Sequence, residues 1–511
     1  MGQSTTMATP AVRSGSRVRP LAAVRERAAR LAAGLIELGL HHGDRYVVMM
    51  RNETAFLEAS AAGGLIGAMP VPVNWHWHGT DLRHLLHDCG AQLAIVHSDF
   101  VPAVESQAPD ALRIVEAEIP EEVCNSYGLG PIPLSGKYVS LEALVERRAP
   151  LVSPSAGPPQ SVIYTSGTTG VPKGVLRNPI PRTDMPKVLT VARELFKFSS
   201  GASTLVPAPL YHTAPNAHAV FAMAFDMDIT IMPRFVPTEF LQIIAERRID
   251  TVQVVPIMFH RLLQLPRDVR KSYDLSSLRA IIHAGAPCAP ELKRAMIDWV
   301  GPIVYEYYGG TEGGAWVTCN SAEALAHPGT VGRPFLGSDI RVLDIDGTPV
   351  PVGVPGIVYG KAVDGWPDFT YIGDDKKRRD IERDGYITVG DIGYLDGEGY
   401  LYLCDRVSDM VISGGVNIYP AEIEGCLLQL DGVADVAVFG IPDAEFGEAL
   451  AAHLQLRPGA SLTEHDVRDF VARNLARYKV PRVVVFQDEL PREDSGKLFK
   501  RRLKALYPQH A

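Results

Sequence analysis

Hydrophobic positions along the first two thirds of the chain alternate between helical and strand-like patterns. Residues 25–40 carry apolar side chains at helical spacing, and Gly39 and Gly43 mark the end of this segment. The apolar run at 46–50 predicts a buried strand. Further helices are predicted at 54–66, 82–88, 239–248 and 258–265, and further strands at 70–73, 93–97, 162–164, 252–255 and 280–283. Such alternation is typical of an α/β architecture with parallel strands.

The pattern changes twice towards the C-terminus. Residues 329–360 contain short β segments separated by Gly and Pro, which predict a small β-rich subdomain. Beyond the boundary near Arg406, helices are predicted at 421–430 and 464–475, and strands at 433–439, 450–456 and 482–486. We therefore expect an α/β protein with a large N-terminal domain (1–405) of helix-flanked β-sheets and a small α+β C-terminal domain (406–511). Residues 1–20, rich in Ser, Thr and Arg, predict a flexible lead-in.

Composition narrows the class of protein. A chain of 511 residues exceeds one ordinary hydrophobic core, and 46% apolar with 21% charged residues is typical of a soluble globular protein. The net charge of −9 lacks the basic excess of a nucleic-acid-binding protein. No apolar run reaches the length of a membrane span, and the N-terminus lacks the apolar core of a secretory signal. The six scattered cysteines favour reduced thiols, so we expect a cytoplasmic protein.

The strongest chemical signal is the string YTSGTTGVPKG at residues 164–174. Three glycines and four Ser or Thr residues directly follow a predicted strand. Glycines allow close backbone approach, and the exposed N–H groups and hydroxyls can surround phosphate oxygens. The string lacks the GxxxxGK[ST] spacing of a Walker loop. The sequence therefore predicts a phosphate-binding loop of another kind.

This string resembles the phosphate loop of the AMP-binding superfamily, which includes acyl-CoA synthetases, firefly-type luciferases and peptide-synthetase adenylation domains. Other strings resemble the remaining superfamily motifs in the same order. They are PLYHT at 209–213, YYGGTE at 307–312, TVGD at 388–391, DRVSDMVISGG at 405–415, PAEIE at 420–424 and PREDSGK at 491–497. The matches extend from about residue 25 to the end, and they imply ATP-dependent activation of a carboxylic acid.

The resemblance assigns a nucleotide-binding role to many residues. The β- and γ-phosphates of ATP would be held by the loop residues Thr165, Ser166, Gly167, Thr168, Thr169, Gly170 and Lys173. Adenine would lie between Tyr308, in the string Tyr307-Tyr308-Gly309, and the opposite wall formed by Gly285, Ala286 and Pro287. Asp391 would accept hydrogen bonds from both ribose hydroxyls, and Arg406 would support the same sugar.

The resemblance also assigns the reacting centre. Thr311 would bind the α-phosphate, Glu312 would hold Mg²⁺, and His212 would line the acyl pocket. Lys497 would contact the reacting carboxylate and the α-phosphate. Because a carboxylate must attack an anionic triphosphate, the site has to neutralise charge and hold an in-line geometry. We take Lys497, Thr311, Glu312 and His212 as the predicted catalytic residues.

The acceptor is predicted from the glycine loop. Ser413, Gly414 and Gly415 resemble the loop that lines the pantetheine tunnel of CoA ligases, which implies coenzyme A as the acceptor. One alternative is an adenylate-forming amide synthetase that transfers the acyl group to an amine without coenzyme A. Another is a non-catalytic nucleotide-binding relative, against which the intact Lys497, Glu312 and Asp391 count.

The acid itself is predicted only by class. The pocket segments 214–223, 254–259 and 283–286 are mostly apolar and favour an apolar or aromatic acid. His212, His218 and His283 are candidates to recognise a polar group on it. A small-molecule acid and coenzyme A, or an amine, are thus the expected partners, and a homodimer is allowed.

Three features depart from the superfamily or stand outside its motifs. The superfamily has a strand pair before the first helix, and this chain is expected to begin too late to contain it. Ser408 occupies the hinge position, where Asp or Lys is common, and the resemblance implies that the C-terminal domain is mobile about it. The basic run at 376–379 could contact the coenzyme A nucleotide or form a solvated face.

Overall fold

The computed structural model describes residues 9–152, 160–165, 172–414, 416–443, 445–492 and 498–507. Within these ranges the strands form four sheets, of 14, 3, 5 and 5 strands. The mixture of helix-flanked parallel sheets with smaller antiparallel ones confirms the predicted α/β fold class. No helix in these ranges is long and apolar enough to cross a lipid bilayer.

The N-terminal region contains a five-stranded parallel sheet in the order β4-β3-β5-β6-β7. Its elements are β1 (Ala11–Ser14), β2 (Arg17–Pro20), α1 (Leu21–Glu37), β3 (Arg45–Met49), α2 (Thr54–Ile66), β4 (Met69–Pro72), α3 (Gly79–Asp88), β5 (Leu93–His97), α4 (Val101–Gln107), β6 (Arg113–Ala117), α5 (Glu121–Tyr127), β7 (Val139–Ser140) and α6 (Leu141–Glu146). The alternation of helix and strand confirms the pattern predicted from residue 25 onward.

The central region carries a second parallel array, β14-β13-β12-β10-β11, inside the 14-stranded sheet. Its elements are β8 (Ile163–Thr165), β9 (Lys173–Arg177), α7 (Met185–Phe196), β10 (Ser203–Val206), α8 (Thr213–Ala224), β11 (Asp228–Ile231), α9 (Pro237–Arg247), β12 (Thr251–Val254), α10 (Pro256–Leu263), α11 (Arg267–Lys271), β13 (Ala280–His283), α12 (Pro290–Val300), β14 (Val304–Gly310), β15 (Gly314–Asn320) and α13 (Ser321–Ala326). In parallel sheets, side chains that follow the carboxyl ends of strands meet at one edge.

Two expectations for the N-terminus are wrong. Strands β1 and β2 form an antiparallel pair before α1, so the pair expected to be missing is present and residues 11–20 are not a flexible lead-in. Strand β1 also pairs in parallel with β11. Arg13 donates to Asp228 at 3.1 Å, and Arg19 pairs with the buried Glu58. These distant acidic partners explain why an Arg-rich stretch is ordered.

The predicted β-rich region is antiparallel and continues the large sheet through β15. Its elements are β16 (Thr330–Pro334), β17 (Asp339–Leu343), β18 (Gly356–Lys361), β19 (Phe369–Tyr371), α14 (Asp375–Asp380), β20 (Glu382–Arg383), β21 (Tyr386–Leu395) and β22 (Leu401–Arg406). The order β17-β18-β21-β22-β16 leaves out β19, which instead pairs with β9 and completes the three-stranded sheet β19-β9-β8.

The C-terminal region has its own five-stranded sheet and its own core. Its elements are β23 (Val411–Ser413), β24 (Val416–Ile418), α15 (Pro420–Leu427), β25 (Val433–Asp443), β26 (Gly447–Leu456), α16 (Glu464–Asn474), β27 (Val483–Gln487) and α17 (Lys500–Lys504). Ile423, Val438 and Leu454 are fully buried in that core. A hydrogen bond of 2.9 Å from the N–H of Ala421 to Oδ2 of Asp405 joins α15 to β22. The domain division at 405/406 stays a prediction.

Candidate active site

Strands β8 and β9 frame the predicted phosphate loop. Thr165 and Lys173 are directly paired across these two strands, so both ends of the loop are fixed. The predicted site residues that lie outside the described residues are Ser166, Gly167, Thr168, Thr169, Gly170, Gly415 and Lys497. Their roles stay predictions.

Lys173 is held by an acidic residue that follows β19. Its Nζ donates to Oδ2 of Asp374 at 2.8 Å and lies 5.7 Å from the centre of the Tyr371 ring. The hydrogen bond from Lys173 lowers the pKa of Asp374. The ammonium group predicted to bind phosphate is therefore positioned by a segment 201 residues away in the chain.

Thr311 and Glu312 lie in the tight turn between β14 and β15. A side chain at Gly309 would bring its Cβ within 1.9 Å of the Gly314 carbonyl oxygen, so only glycine fits at this position. The two strands therefore approach closely at this end, and the short turn between them carries the polar side chains of Thr311 and Glu312.

Two residues from other elements fix this turn. The hydroxyl of Tyr371 donates to Oε1 of Glu312 at 3.0 Å, and the guanidinium of Arg177 donates to the carbonyl oxygen of Thr311. Loss of solvent lowers the pKa of Arg177 to about 10, while the Glu312 carboxylate acts in the opposite direction. Neither Arg177 nor Tyr371 was among the residues predicted from motifs.

The turn also contacts the PLYHT segment. Oγ1 of Thr213 lies 2.6 Å from Oγ1 of Thr311. His212 precedes α8, and its ring centre lies 4.5 Å from that of Tyr211. The structure therefore brings the predicted acyl-pocket segment against the residue predicted to bind the α-phosphate.

The residues predicted to bind ribose contact one another through a single carboxylate. Asp391 on β21 and Arg406 on β22 are directly paired, with 3.2 Å between Oδ1 and Nε. The hydroxyl of Tyr308 donates to the other carboxylate oxygen of Asp391 at 2.8 Å. Burial raises the pKa of Asp391, and Arg406 acts against that effect. Three predicted residues thus meet at one carboxylate.

The predicted adenine wall begins directly after β13. Gly285 has a φ of +84°, which glycine adopts without strain, and Ala286 and Pro287 continue the loop.

A buried ion pair joins α12 to β14. Nζ of Lys293 on α12 donates to Glu306 on β14, and it also donates to the carbonyl oxygen of Thr330 at 3.1 Å. Lys293 and Glu306 are both about 95% buried. This ion pair was not predicted from the sequence.

Two histidines near the predicted acid pocket are buried and uncharged. Burial lowers the pKa of His218 to about 3, and Nε2 of His218 lies 2.7 Å from Oγ1 of Thr204. Burial, assisted by Lys293, holds the pKa of His283 well below its usual value. Neutral imidazoles are suited to hydrogen bonding rather than to charge pairing in this region.

The remaining predicted residues belong to the C-terminal sheet and its approach. Ser413 ends β23, and the N–H of Gly414 donates to the carbonyl oxygen of Phe446 at 2.9 Å. Ser408 lies in an exposed turn between β22 and β23. Arg492 and Leu498, which flank the predicted lysine motif, form a β-bridge.

Two family models match this chain. The model described as AMP-binding enzyme matches residues 5–362, and the model described as AMP-binding enzyme C-terminal domain matches residues 422–497. The chain belongs to the AMP-binding enzyme family. The resemblance stated from the motifs is therefore confirmed.

Characterised relatives of this AMP-binding enzyme are similar over most of their length. Feruloyl-CoA synthase from Amycolatopsis sp is 32% identical over 494 residues, which span 96% of this chain and 94% of the relative. Indoleacetate–CoA ligase from Aromatoleum aromaticum is 32% identical over 484 residues, spanning 92% and 90%. This AMP-binding enzyme is accordingly an ATP-dependent acid–thiol ligase of the acyl-CoA synthetase type.

Solved structures share the whole fold. ATP-bound MatB from Rhodopseudomonas palustris superposes with a TM-score of 0.83, at 25% identity, over 98% of this chain and 96% of that chain. An amide bond synthetase, McbA from Marinactinospora thermotolerans, also gives a TM-score of 0.83, over 98% and 97%, but at 23% identity. At that identity the second likeness shows the fold alone.

Proposed function

We propose that this AMP-binding enzyme activates an acid with an apolar or aromatic body, and that the acid and the α-phosphate of ATP meet at the turn between β14 and β15. The observation that carries the proposal is the 2.6 Å contact between Thr213 and Thr311. Thr213 lies at the start of the apolar helix α8, and Thr311 lies in the turn that is proposed to bind the α-phosphate. The contact therefore joins the proposed acid side of the site to its nucleotide side. A carboxylate held at α8 and a phosphate held at Thr311 would be neighbours.

The phosphate side of the proposed site is cationic and has one carboxylate for a metal. Lys173 would bind the β- and γ-phosphates, and Glu312 would hold Mg²⁺. Magnesium takes few protein carboxylates and keeps phosphate oxygens and water as its other ligands. The residues present fit this habit, because the turn supplies the Glu312 carboxylate, which the Tyr371 hydroxyl holds in place. When bound, Mg²⁺ would neutralise phosphate charge.

The first half-reaction would proceed at the α-phosphorus. A carboxylate oxygen of the acid bonds to the α-phosphorus, the bond to the bridging oxygen of pyrophosphate breaks, and pyrophosphate leaves with that electron pair. The Thr311 hydroxyl would donate to an α-phosphate oxygen, and Lys497 would offset the charge shared by the two reactants. Donors aimed at developing charge are usually the largest contribution to such catalysis.

The second half-reaction would exchange one leaving group for another. The sulfur of coenzyme A, as thiolate, bonds to the acyl carbon, and the bond to the AMP oxygen breaks. Ser413, Gly414 and Gly415 would line the path of the thiol. Asp391, Arg406 and Tyr308 would hold the ribose and adenine in place during both steps, because β21 pairs with β22 and the Tyr308 hydroxyl donates to Asp391.

The class of acid is supported by the pocket and by the relatives. Most of α8 is buried and apolar, including Ala219, Val220 and Phe221. The neutral His218 and His283 add hydrogen-bonding groups without charge. Two relatives are named for ferulate and indoleacetate, which are both aromatic acids. We propose an acid of this aromatic class.

Pyrophosphate release over an acid panel tests the proposal. Ferulate, indoleacetate, a long-chain fatty acid and acetate would each be assayed with ATP and Mg²⁺, with coenzyme A, with an amine, or with neither. We expect the largest rates with an aromatic acid and a coenzyme A requirement for sustained turnover. A preference for acetate, or amide formation in the absence of coenzyme A, would contradict the proposed class or acceptor.

A further inference from the structure

The segment at 369–377 is physically part of the phosphate-binding sheet. Strand β19 pairs antiparallel with β9, so that Tyr371 lies opposite Val175. The N–H of Ile372 then donates to the carbonyl oxygen of Gly174 at 2.9 Å, next to Lys173. The residues that follow β19 are therefore fixed beside one end of the phosphate loop.

A single carboxylate joins Lys173 to the first turn of α14. Oδ2 of Asp374 accepts from Nζ of Lys173 at 2.8 Å, and Oδ1 accepts from the backbone N–H of Lys377 at 3.0 Å. Lys377 is half-buried, whereas its neighbour Lys376 is exposed. The ammonium group of Lys173 and the backbone N–H of Lys377 thus bind the two oxygens of the same carboxylate.

One ammonium group and two carboxylates act on Lys377, those of Lys173, Asp374 and Glu312. Burial and the nearby Lys173 ammonium lower the pKa of Lys377, and Asp374 and Glu312 offset this only in part. By contrast, the next cation, Arg378, is paired with two carboxylates, Asp368 at 2.9 Å and Glu382 at 2.5 Å. Lys377 therefore lies beside the Lys173 ammonium group, and Asp374 is the carboxylate next to both residues.

We propose that Lys377 is a second phosphate-binding cation, which contacts the β- and γ-phosphates of ATP and the pyrophosphate that leaves. This inference rests on the proposed role of Lys173. A multiply charged anion placed between the two ammonium groups removes their mutual repulsion and gains an ion pair with each. Lysine is suited to this, since its ammonium group acts as a point charge for phosphate. AMP, which lacks these two phosphates, gains nothing from Lys377.

This assignment differs from both earlier interpretations of the basic run at 376–379. A residue that contacts the coenzyme A nucleotide would affect the second half-reaction, and a solvated face would affect neither. A cation for the β- and γ-phosphates affects only species that carry them. Binding measurements with ligands that carry or lack these two phosphates can therefore distinguish the three interpretations.

Lys377→Met is the decisive variant, and Lys376→Met is its matched control on the exposed side of the same turn. Calorimetric titrations of each protein with Mg-ATP, pyrophosphate and AMP would be made without acid, so that the result does not depend on turnover. We expect Lys377→Met to weaken ATP and pyrophosphate binding about 10- to 100-fold, which is typical for one hydrogen bond to a charged group. AMP binding and Lys376→Met should match the wild type.

Kinetic measurements should show the same distinction between ligands that carry the β- and γ-phosphates and ligands that lack them. In Lys377→Met the KM for ATP should rise and pyrophosphate should become a weaker inhibitor, while thioester formation from supplied acyl-adenylate is unchanged. Lys377→Arg should restore most of the ATP affinity. Unchanged ATP affinity in Lys377→Met, or equal losses for ATP and AMP, would overturn the assignment. Lack of turnover by the wild type with every acid would instead contradict the proposed function.

Discussion

The hydroxyl of Thr213 lies 2.6 Å from the hydroxyl of Thr311, although 98 residues separate them in the chain. The contact orients Thr311 from its side chain, while Arg177 holds its carbonyl oxygen. A residue proposed to bind the α-phosphate is therefore positioned by two different elements. Its orientation depends on α8 as much as on its own turn.

Replacement of Thr213 by Val should slow adenylate formation about fivefold, because one hydrogen bond that orients Thr311 is lost and such bonds contribute about 1 kcal/mol. Pyrophosphate exchange measures this step. Thr213→Ser keeps the hydroxyl and serves as the control. Similar losses in both variants would show that the hydroxyl contact alone does not account for the effect.

Lys497→Ala should reduce adenylate formation by about 10²–10³, the usual effect of removing one donor that stabilises developing charge. Thioester formation from supplied acyl-adenylate should be affected far less, since that step does not use the lysine. Single-turnover measurements of each step give the comparison. Equal losses in the two steps would contradict the assignment.

Glu312→Gln should weaken Mg²⁺-dependent turnover and leave the fold intact. The amide keeps the size of the side chain and its contact with Tyr371, but it removes the negative charge that a divalent cation needs. Rates over a Mg²⁺ titration, with thermal unfolding as the control, would measure the effect. An unchanged magnesium requirement would exclude this role for Glu312.

Ser408→Pro should leave adenylation measurable and severely slow thioester formation. Proline fixes φ near −65°, and a hinge residue must change its backbone angles between the two steps. The two half-reactions would be timed separately at saturating coenzyme A. Wild-type thioester rates in the variant would show that the chain rotates elsewhere, and Ser408→Ala, which keeps free backbone rotation, should behave as the wild type.

Stability should fall with acidity because of His218. Burial lowers its pKa from 6.5 to about 3, so between these values the unfolded chain binds a proton that the folded chain does not. The free energy of unfolding contributed by this group is therefore complete above pH 6.5 and declines below it, by at most about 1.4 kcal/mol per pH unit. Denaturant unfolding at about pH 7.5 and 5.5 measures the slope.

The matched variants are His218→Asn, which removes the titration but keeps a polar group near Thr204, and His465→Asn on the exposed face of α16. The first should flatten the pH dependence and the second should leave it as in the wild type. Equal slopes in His218→Asn and the wild type would contradict the buried-neutral assignment.

Motif spacing located the residues that belong to continuous strings. Thr311, Glu312, Asp391 and Arg406 could be named because each belongs to a continuous string that resembles a motif of the superfamily. Helix and strand positions such as Thr54–Ile66 and Leu93–His97 were also predictable, since a buried face imposes its period on the sequence.

Partners that come from distant elements were not predictable in this way. Asp374 and Thr213 meet the site only through strand pairing and turn geometry. Arg177 did leave a signal, because side chains at i and i+4 of a strand share one face, which places it on the same side of β9 as Lys173. Strand β1 was missed since its stability depends on Asp228, more than 200 residues away.

The hydrogen bond between Asp405 and Ala421 connects the two sides of the proposed hinge. Asp405 precedes Ser408 and Ala421 follows it, so a large rotation about Ser408 would break this contact. An ordinary hydrogen bond contributes about 1 kcal/mol, or about a fivefold bias between two conformations. The hydrogen bond from Ala421 to Asp405 would therefore slightly stabilise the present orientation of the C-terminal region. A change at this one carboxylate would alter the ratio of the two orientations.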